Sequence, residues 1–91
     1  AEHDRALAVT SHLPHAAAGG LTAVTPAERL PLTAGGFRDT TRIAAGDPDL
    51  WAAIFQANRE AVLAALDKYA DRMTQFRQLL AADDRAGLVR W

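Results

Sequence analysis

The chain has 91 residues, of which 49% are hydrophobic, and its formal net charge at pH 7 is −1. A chain of this length forms one domain and buries only roughly 60 to 65% of its unfolded surface. Without an excess of Lys and Arg, its charge does not favour the phosphate backbone of nucleic acid or an anionic lipid surface. We therefore predict that neither nucleic acid nor a membrane is a partner.

Several features that the sequence lacks exclude further classes of protein. There are no cysteines, which excludes disulfides, thiolate metal sites and thiol catalysis and fits a reducing compartment. No apolar run approaches the roughly 18 residues that a membrane span needs. The first residues, AEHDRALAV, carry charges where a signal peptide needs its apolar region. The sequence therefore predicts a soluble, cytoplasmic protein.

Residues 3–24 predict a helix with one interruption. Ala and Leu dominate this segment, as they do in helices. Pro14 has no N–H to offer the carbonyl of Thr10, and its ring presses on that carbonyl. We therefore expect a kink within residues 10–14 that turns polar side chains inward.

The middle of the chain predicts a connector and a short helix. Residues 25–36 hold two of the four prolines and two of the six glycines, which is typical of a connecting segment. Residues 37–45 are expected to form a short helix. Gly46 would close this helix in the left-handed conformation.

The second half of the chain predicts one long amphipathic helix, with Asp47 as its N-cap and Pro48 as its first residue. Apolar residues then recur at steps of three and four over about 35 residues, or roughly 52 Å. A compact domain of this length has a radius of gyration of only about 12 Å, so the helix would extend beyond its own domain. We expect it either to break or to bury its apolar stripe against another chain, and we favour a second copy.

The last nine residues, DDRAGLVRW, predict a short final helix. Asp83 or Asp84 would cap it, and Leu88, Val89 and Trp91 would fold back onto the domain. No segment alternates as a strand does. The predicted fold is therefore all-α, a small helical domain with one long C-terminal amphipathic helix that dimerises.

Three histidines, His3, His12 and His15, lie in the first predicted helix. His12 and His15 are three residues apart and share one side of it, as metal ligands do, but a third ligand is not near in sequence. Ser11 and His15 are spaced as a nucleophile and its base, but nothing supplies an oxyanion hole. We favour cap, surface or hydrogen-bonded core positions for the histidines, with no metal site.

The segment GGFRDTTR predicts an anion site. Its glycines permit close approach of a ligand, Arg42 offers a planar fork for a carboxylate, and Asp39 can hold that fork or release it. The alternative is a solvated ion pair on a short helix. Trp51 is expected either to line a pocket or to pack in the core and so fix the start of the long helix. Asn58 either bonds across a helix interface or faces solvent.

Three segments carry a resemblance to a known family: HDRALAVTSHLPH, GGFRDTTRIA, and DPDLW followed by IFQANREAVLAALD. They resemble the C-terminal helical domain of prephenate dehydrogenases and the related arogenate dehydrogenases, over nearly the whole chain. The resemblance implies a two-domain dehydrogenase similar in fold to 6-phosphogluconate dehydrogenase. It also implies NAD(P)-dependent oxidative decarboxylation of prephenate or arogenate in tyrosine biosynthesis, and a homodimer formed through the long helix. The resemblance is also compatible with tyrosine as an inhibitor.

The resemblance implies roles for individual residues. Arg42 matches an arginine that grips a substrate carboxylate, and Asp39 matches an acidic residue at the cleft mouth, so the two would form a gating ion pair. His15 matches a histidine that lines the substrate pocket. The other substrate-binding positions that the resemblance implies are His3, Gly35 and Trp51.

The sequence departs from the family in one large respect. No G-x-G-x-x-G follows a strand and no βαβ pattern is present. NAD or NADP is therefore expected to bind mainly to an N-terminal dinucleotide-binding domain that is absent from this chain. The resemblance places the catalytic histidine in that domain, so residues 1–91 should be inactive alone. The alternative is a free-standing helical dimer that acts as a binding or regulatory module. No residue here decides between the two cofactors or the two substrates.

Overall fold

The computed structural model of the chain describes residues 1–32, 35–42 and 45–91, and within this part it contains helices and no strands. The all-α prediction is confirmed. The α-helices run in chain order as α1 (Glu2–Leu7), α2 (Leu13–Ala23), α3 (Gly35–Thr41), α4 (Pro48–Ala57), α5 (Arg59–Ala81) and α6 (Arg85–Arg90). A π-helical turn, Ala8–His12, joins α1 to α2, and a 3-10 helix, Ala27–Leu32, precedes α3.

The predicted kink in the first helix is a π-helical turn. The N–H of Leu13 bonds to the carbonyl of Ala8, five residues earlier, so the helix is wider here than an α-helix. The turn ends two residues before Pro14, which has no N–H to donate to the carbonyl of Thr10. Its widening carries Ala8 and His12 into the interior, where they are 1% and 8% exposed. The prediction that the kink turns polar groups inward is therefore confirmed for His12.

The long helix begins where predicted but does not run unbroken. Asp47 caps α4 by accepting a hydrogen bond from the N–H of Asp49 at 3.0 Å, and Pro48 is the first helical residue. The helix is interrupted at Asn58, whose φ of −116° and ψ of 33° are not helical. Backbone hydrogen bonds nevertheless continue on both sides of this residue. The two helices therefore remain joined by hydrogen bonds across this non-helical residue.

Two details of the predicted helix ends are wrong. No described glycine has a positive φ, so Gly46 is not a left-handed cap. Asp84 caps α6 by accepting a hydrogen bond from the N–H of Gly87 at 2.9 Å, but Val89 is 78% exposed and does not fold back. Trp91 does fold back, because its ring packs on Phe76 at 5.0 Å between ring centroids.

The interior of the described chain is small. Its buried hydrophobic residues are three alanines, and none of its large side chains is fully buried. The accessible surface is 6931 Å², about one third more than the roughly 5,200 Å² expected of a compact protein of this mass. The radius of gyration is 15.3 Å, against about 12 Å for a compact chain. Much apolar surface is therefore left without an intrachain partner.

Among the helices that the structure describes, none is long and apolar enough to cross a membrane.

Candidate functional site

An aromatic cluster forms where α2 packs against α4. The rings of His15 and Trp51 are stacked, with centroids 3.7 Å apart and planes within 9° of each other. Phe55, one helical turn after Trp51, lies 5.7 Å from its ring. His12 approaches the same tryptophan edge-on, with centroids 6.3 Å apart and an interplanar angle of 83°. Two of the predicted pocket residues, His15 and Trp51, are thus in direct contact.

A groove of about 380 Å³ opens beside this cluster. Stacked rings form one wall, and small side chains leave the remaining space, so the groove suits a flat and mainly apolar group. In the part of the chain that the structure describes, no Lys or Arg lines it. The lining residues are His15, Ala16, Gly19, Gly20, Gly46, Pro48, Trp51, Ala52 and Phe55.

Gly46 permits the close approach of Trp51. A Cβ at this position would lie 2.8 Å from Nε1 of Trp51 and 3.6 Å from Cε1 of His15. The smaller of these separations is too short for non-bonded atoms, so any larger residue would push the indole off its stacked position. Gly46 was predicted to end a helix, whereas its role in the structure is to leave space for the Trp51 ring.

We therefore expect Gly46→Ala to destabilise the chain by about 1 to 3 kcal/mol, because the new methyl group forces the indole to move. Gly19→Ala is the matched control, since a Cβ there has no neighbour within 4 Å. That change should leave stability equal or raise it by up to about 1 kcal/mol, because alanine favours the helix. Urea denaturation at a fixed protein concentration measures both. Equal stability of the two variants would contradict the assigned role of Gly46.

Asn58 connects the break between α4 and α5 to the first helix. Its side-chain nitrogen Nδ2 donates to the carbonyl oxygen of Asp4 at 2.7 Å and lies 3.2 Å from Nδ1 of His12. Of the two roles left open for this residue, the structure therefore supports the bond across a helix interface. The sequence alone did not indicate its partners.

The Asp39–Arg42 pair lies apart from the groove. Nη1 of Arg42 is 3.7 Å from Oδ1 of Asp39, and both side chains are about three-quarters exposed. An ion pair so exposed contributes at most about 1 kcal/mol. The two side chains thus form the exposed ion pair that the sequence allowed as the alternative, and a competing anion can break it at small cost.

The remaining predicted site residues are not brought into the cluster. His3 is exposed on α1, and Gly35 begins α3 with open space where a Cβ would be. Arg42, just after α3, does not line the groove either. The single chain therefore joins His15 to Trp51 and leaves His3, Gly35 and Arg42 on open surface.

The described residues do not support the catalytic serine or the metal site that were weighed from the sequence. No hydrogen bond joins Ser11 to His15, whose ring is instead stacked on Trp51. Within the described ranges, no three His, Cys, Asp or Glu side chains are grouped closely enough to hold a metal ion. The aromatic neighbour Phe55 was missed, although it lies four residues after Trp51, a spacing that places both on one helix face.

Comparisons with known proteins agree over the whole chain. Residues 1–91 match the family model described as the prephenate dehydrogenase, dimerization domain. The chain is 39% identical to a cyclohexadienyl dehydrogenase of Zymomonas mobilis over 90% of its length, and 36% identical to a prephenate dehydrogenase of Bacillus subtilis over 99%. It spans only 30% and 26% of those two proteins.

Solved structures show the same similarity. An arogenate dehydrogenase from Synechocystis superposes on 98% of the chain with a TM-score of 0.89 at 30% identity, using 35% of its own length. A prephenate dehydrogenase from A. aeolicus, crystallised with hydroxyphenyl propionate and NAD⁺, superposes on 97% of the chain with a TM-score of 0.82 at 35% identity. The chain covers 33% of that second structure.

The fold, a helical unit with a small core and a largely exposed long helix, is that of a dimerization domain from a dehydrogenase. The chain belongs to the prephenate dehydrogenase dimerization-domain family.

Proposed function

We propose that this chain is the C-terminal, substrate-closing and dimerising domain of a prephenate or arogenate dehydrogenase. The observation that carries the proposal is the similarity of the entire chain, in sequence and in fold, to enzymes of those names. Because the relatives are three to four times as long, we infer that an N-terminal dinucleotide-binding domain completes the enzyme. The reaction oxidises the substrate ring at its hydroxyl-bearing carbon, with loss of the ring carboxylate as carbon dioxide.

The described residues do not fit NAD or NADP. Among the described residues, the groove of about 380 Å³ has no cationic side chain for a pyrophosphate, and no strand followed by a glycine-rich turn is present. We therefore assign the cofactor to the N-terminal domain and derive no catalytic step from this chain. What these residues supply is substrate binding.

Two features of the chain suit a cyclic dicarboxylate. The stacked His15 and Trp51 offer a flat apolar wall to the ring, as the aromatic acid named with the A. aeolicus structure would require. Arg42 offers a bidentate fork to a carboxylate. Because Arg42 lies outside the groove of the single chain, we infer that a complete site also requires other parts of the assembly. Tyrosine, with a similar ring and a carboxylate, would compete there.

We further propose that a second copy of the chain covers α5. This helix has two apolar stripes that lie roughly 100° apart around its axis, given 100° per residue. The first stripe includes Ala65 and Phe76 and packs inward, against the first helix and α6. The second stripe is exposed, with Leu63 48% and Leu80 58% accessible. Its members are Leu63, Leu66, Ala70, Met73 and Leu80.

The surplus surface agrees with such a partner. The chain exposes roughly 1,700 Å² more than a compact protein of its mass. Permanent dimers commonly bury more than about 2,000 Å² in total, which two such faces would supply. The family description as a dimerization domain supports a second copy as the occupant.

Dehydrogenase activity of the complete polypeptide tests the proposal. Prephenate and arogenate are each supplied with NAD⁺ and with NADP⁺, and the formation of reduced nicotinamide is followed by its absorbance. We expect activity with at least one pair. An inactive, correctly folded polypeptide would instead favour the alternative of a helical dimer that acts as a binding or regulatory module.

A further inference from the structure

The amide of Asn58 has a fixed orientation. Its Nδ2 atom lies 2.7 Å from the carbonyl oxygen of Asp4, and a backbone carbonyl can only accept a hydrogen bond. The amide atom at this position must therefore be the nitrogen, because an oxygen there would face another oxygen. One of its two hydrogens is directed to Asp4, which leaves the second for another acceptor.

That second hydrogen determines the tautomer of His12. The same Nδ2 atom lies 3.2 Å from Nδ1 of His12, and an amide nitrogen has no lone pair to accept with. Nδ1 must therefore accept, so the neutral imidazole carries its hydrogen on Nε2. With His12 only 8% exposed, water does not readily replace this bond, and the opposite tautomer would place an N–H against the amide hydrogen.

The tautomer affects the aromatic cluster because His12 lies edge-on to Trp51, the ring that also stacks on His15. We propose that Asn58 is a positioning residue of the substrate site. It holds the His12 ring in one plane and one tautomer, so that the Nε2 hydrogen is the donor available to a substrate oxygen. This inference rests on the proposed function.

The location of Asn58 explains why this residue can act on the site. It joins α4, which carries Trp51 and Phe55, to α5, and its side chain holds both Asp4 in α1 and His12 in the π-helical turn. Both N–H hydrogens of the Asn58 amide are thereby donated to acceptors in the first part of the chain. A shorter or apolar side chain would leave Nδ1 of His12 without its donor, whereas the carbonyl of Asp4 would keep its bond from the N–H of Ala8.

Nitrogen NMR of the complete dehydrogenase, labelled with ¹⁵N at histidine, reads the tautomer directly. The His12 signals are assigned by their loss in His12→Gln. We expect Nδ1 to resonate as an unprotonated nitrogen and Nε2 as a protonated one. Asn58→Asp should reverse the two, because a carboxylate accepts a hydrogen bond from Nδ1. A wild-type enzyme with its hydrogen on Nδ1 overturns the inference, however the variants fold.

Kinetics test whether the tautomer matters for substrate. In His12→Gln the side-chain amide nitrogen can occupy the position of Nε2 and donate as Nε2 does. In His12→Asn the shorter side chain places its amide nitrogen only at the position of Nδ1. We expect KM to rise about tenfold or more in His12→Asn and Asn58→Asp, less in His12→Gln, with a smaller change in kcat. Equal KM values in all three variants overturn the positioning role.

The two proposals fail differently in these experiments. An active wild type whose His12 has the wrong tautomer overturns only the role of Asn58. A wild type that is inactive with every substrate and cofactor pair overturns the proposed function, and the role of Asn58 in substrate binding with it.

Discussion

Replacing Arg42 by alanine in the complete dehydrogenase is expected to raise KM for its substrate by roughly 30- to 1,000-fold. This range corresponds to about 2 to 4 kcal/mol, which is typical when a desolvated carboxylate loses its charged partner. We expect kcat to change much less, because a carboxylate remote from the reacting carbon is bound in the ground state and the transition state alike. Steady-state kinetics over a wide substrate range separates the two effects.

The state of Arg42 in the chain supports so large an effect. Its contact with Asp39 is 3.7 Å long and solvent-exposed, so breaking it costs at most about 1 kcal/mol. A substrate carboxylate held in a closed site by a bidentate fork would gain more than that. Asp39→Asn should therefore leave KM unchanged or lower it, since the competing anion is removed.

Two further variants test whether the rise in KM comes from a specific contact of Arg42 with a carboxylate. Arg42→Lys keeps the charge but not the fork, and we expect a KM between those of the wild type and the alanine variant. Arg85→Ala removes one positive charge from the start of α6 and should leave KM within about threefold of the wild type, since a distant exposed charge is screened. An equal effect of Arg42→Ala and Arg85→Ala would exclude a specific carboxylate contact.

The second large effect is expected from Leu66→Glu, which places a charge in the exposed apolar stripe of α5. Two copies facing each other there would bury two like charges without partners, at a cost of several kcal/mol. The wild type should sediment with the mass of two chains at micromolar concentration. We expect the Leu66→Glu variant to sediment as a single chain at that concentration. Its dimer dissociation constant should be at least about 100-fold higher than that of the wild type.

Gln75→Glu is the matched control, because it adds the same charge to the polar side of the same helix, about 180° from Leu66. Its mass in sedimentation should remain that of two chains. A wild type that sediments as one chain across the micromolar range, or a Leu66→Glu variant that stays dimeric, would exclude this face as the interface.

Local chemistry made several elements of the fold predictable from sequence. Pro14 predicted the interruption of the first helix, and Asp47 with Pro48 predicted the start of α4, because each acts on backbone groups within one turn. The break at Asn58 was not predicted. Asn58 donates there to a residue 54 positions earlier, and no local pattern encodes that partner.

The candidate site was predictable in its members more than in its geometry. The resemblance named His15 and Trp51 together, but their stacking depends on the packing of α2 against α4 and on the absence of a side chain at Gly46. The same resemblance grouped Arg42 with them, whereas the single chain holds it apart. That difference follows if the full site forms only when other domains or copies close around this one.

The small interior has a consequence for how the protein responds to dilution. Among the residues that the structure describes, the buried hydrophobic ones are three alanines, so the core contributes little free energy. In the proposed dimer, association must then supply much of the free energy of folding. Separation of the two copies and loss of helical structure should then occur as one event. The midpoint of thermal unfolding would then rise with protein concentration. Mass action would set the lowest concentration at which the domain stays folded.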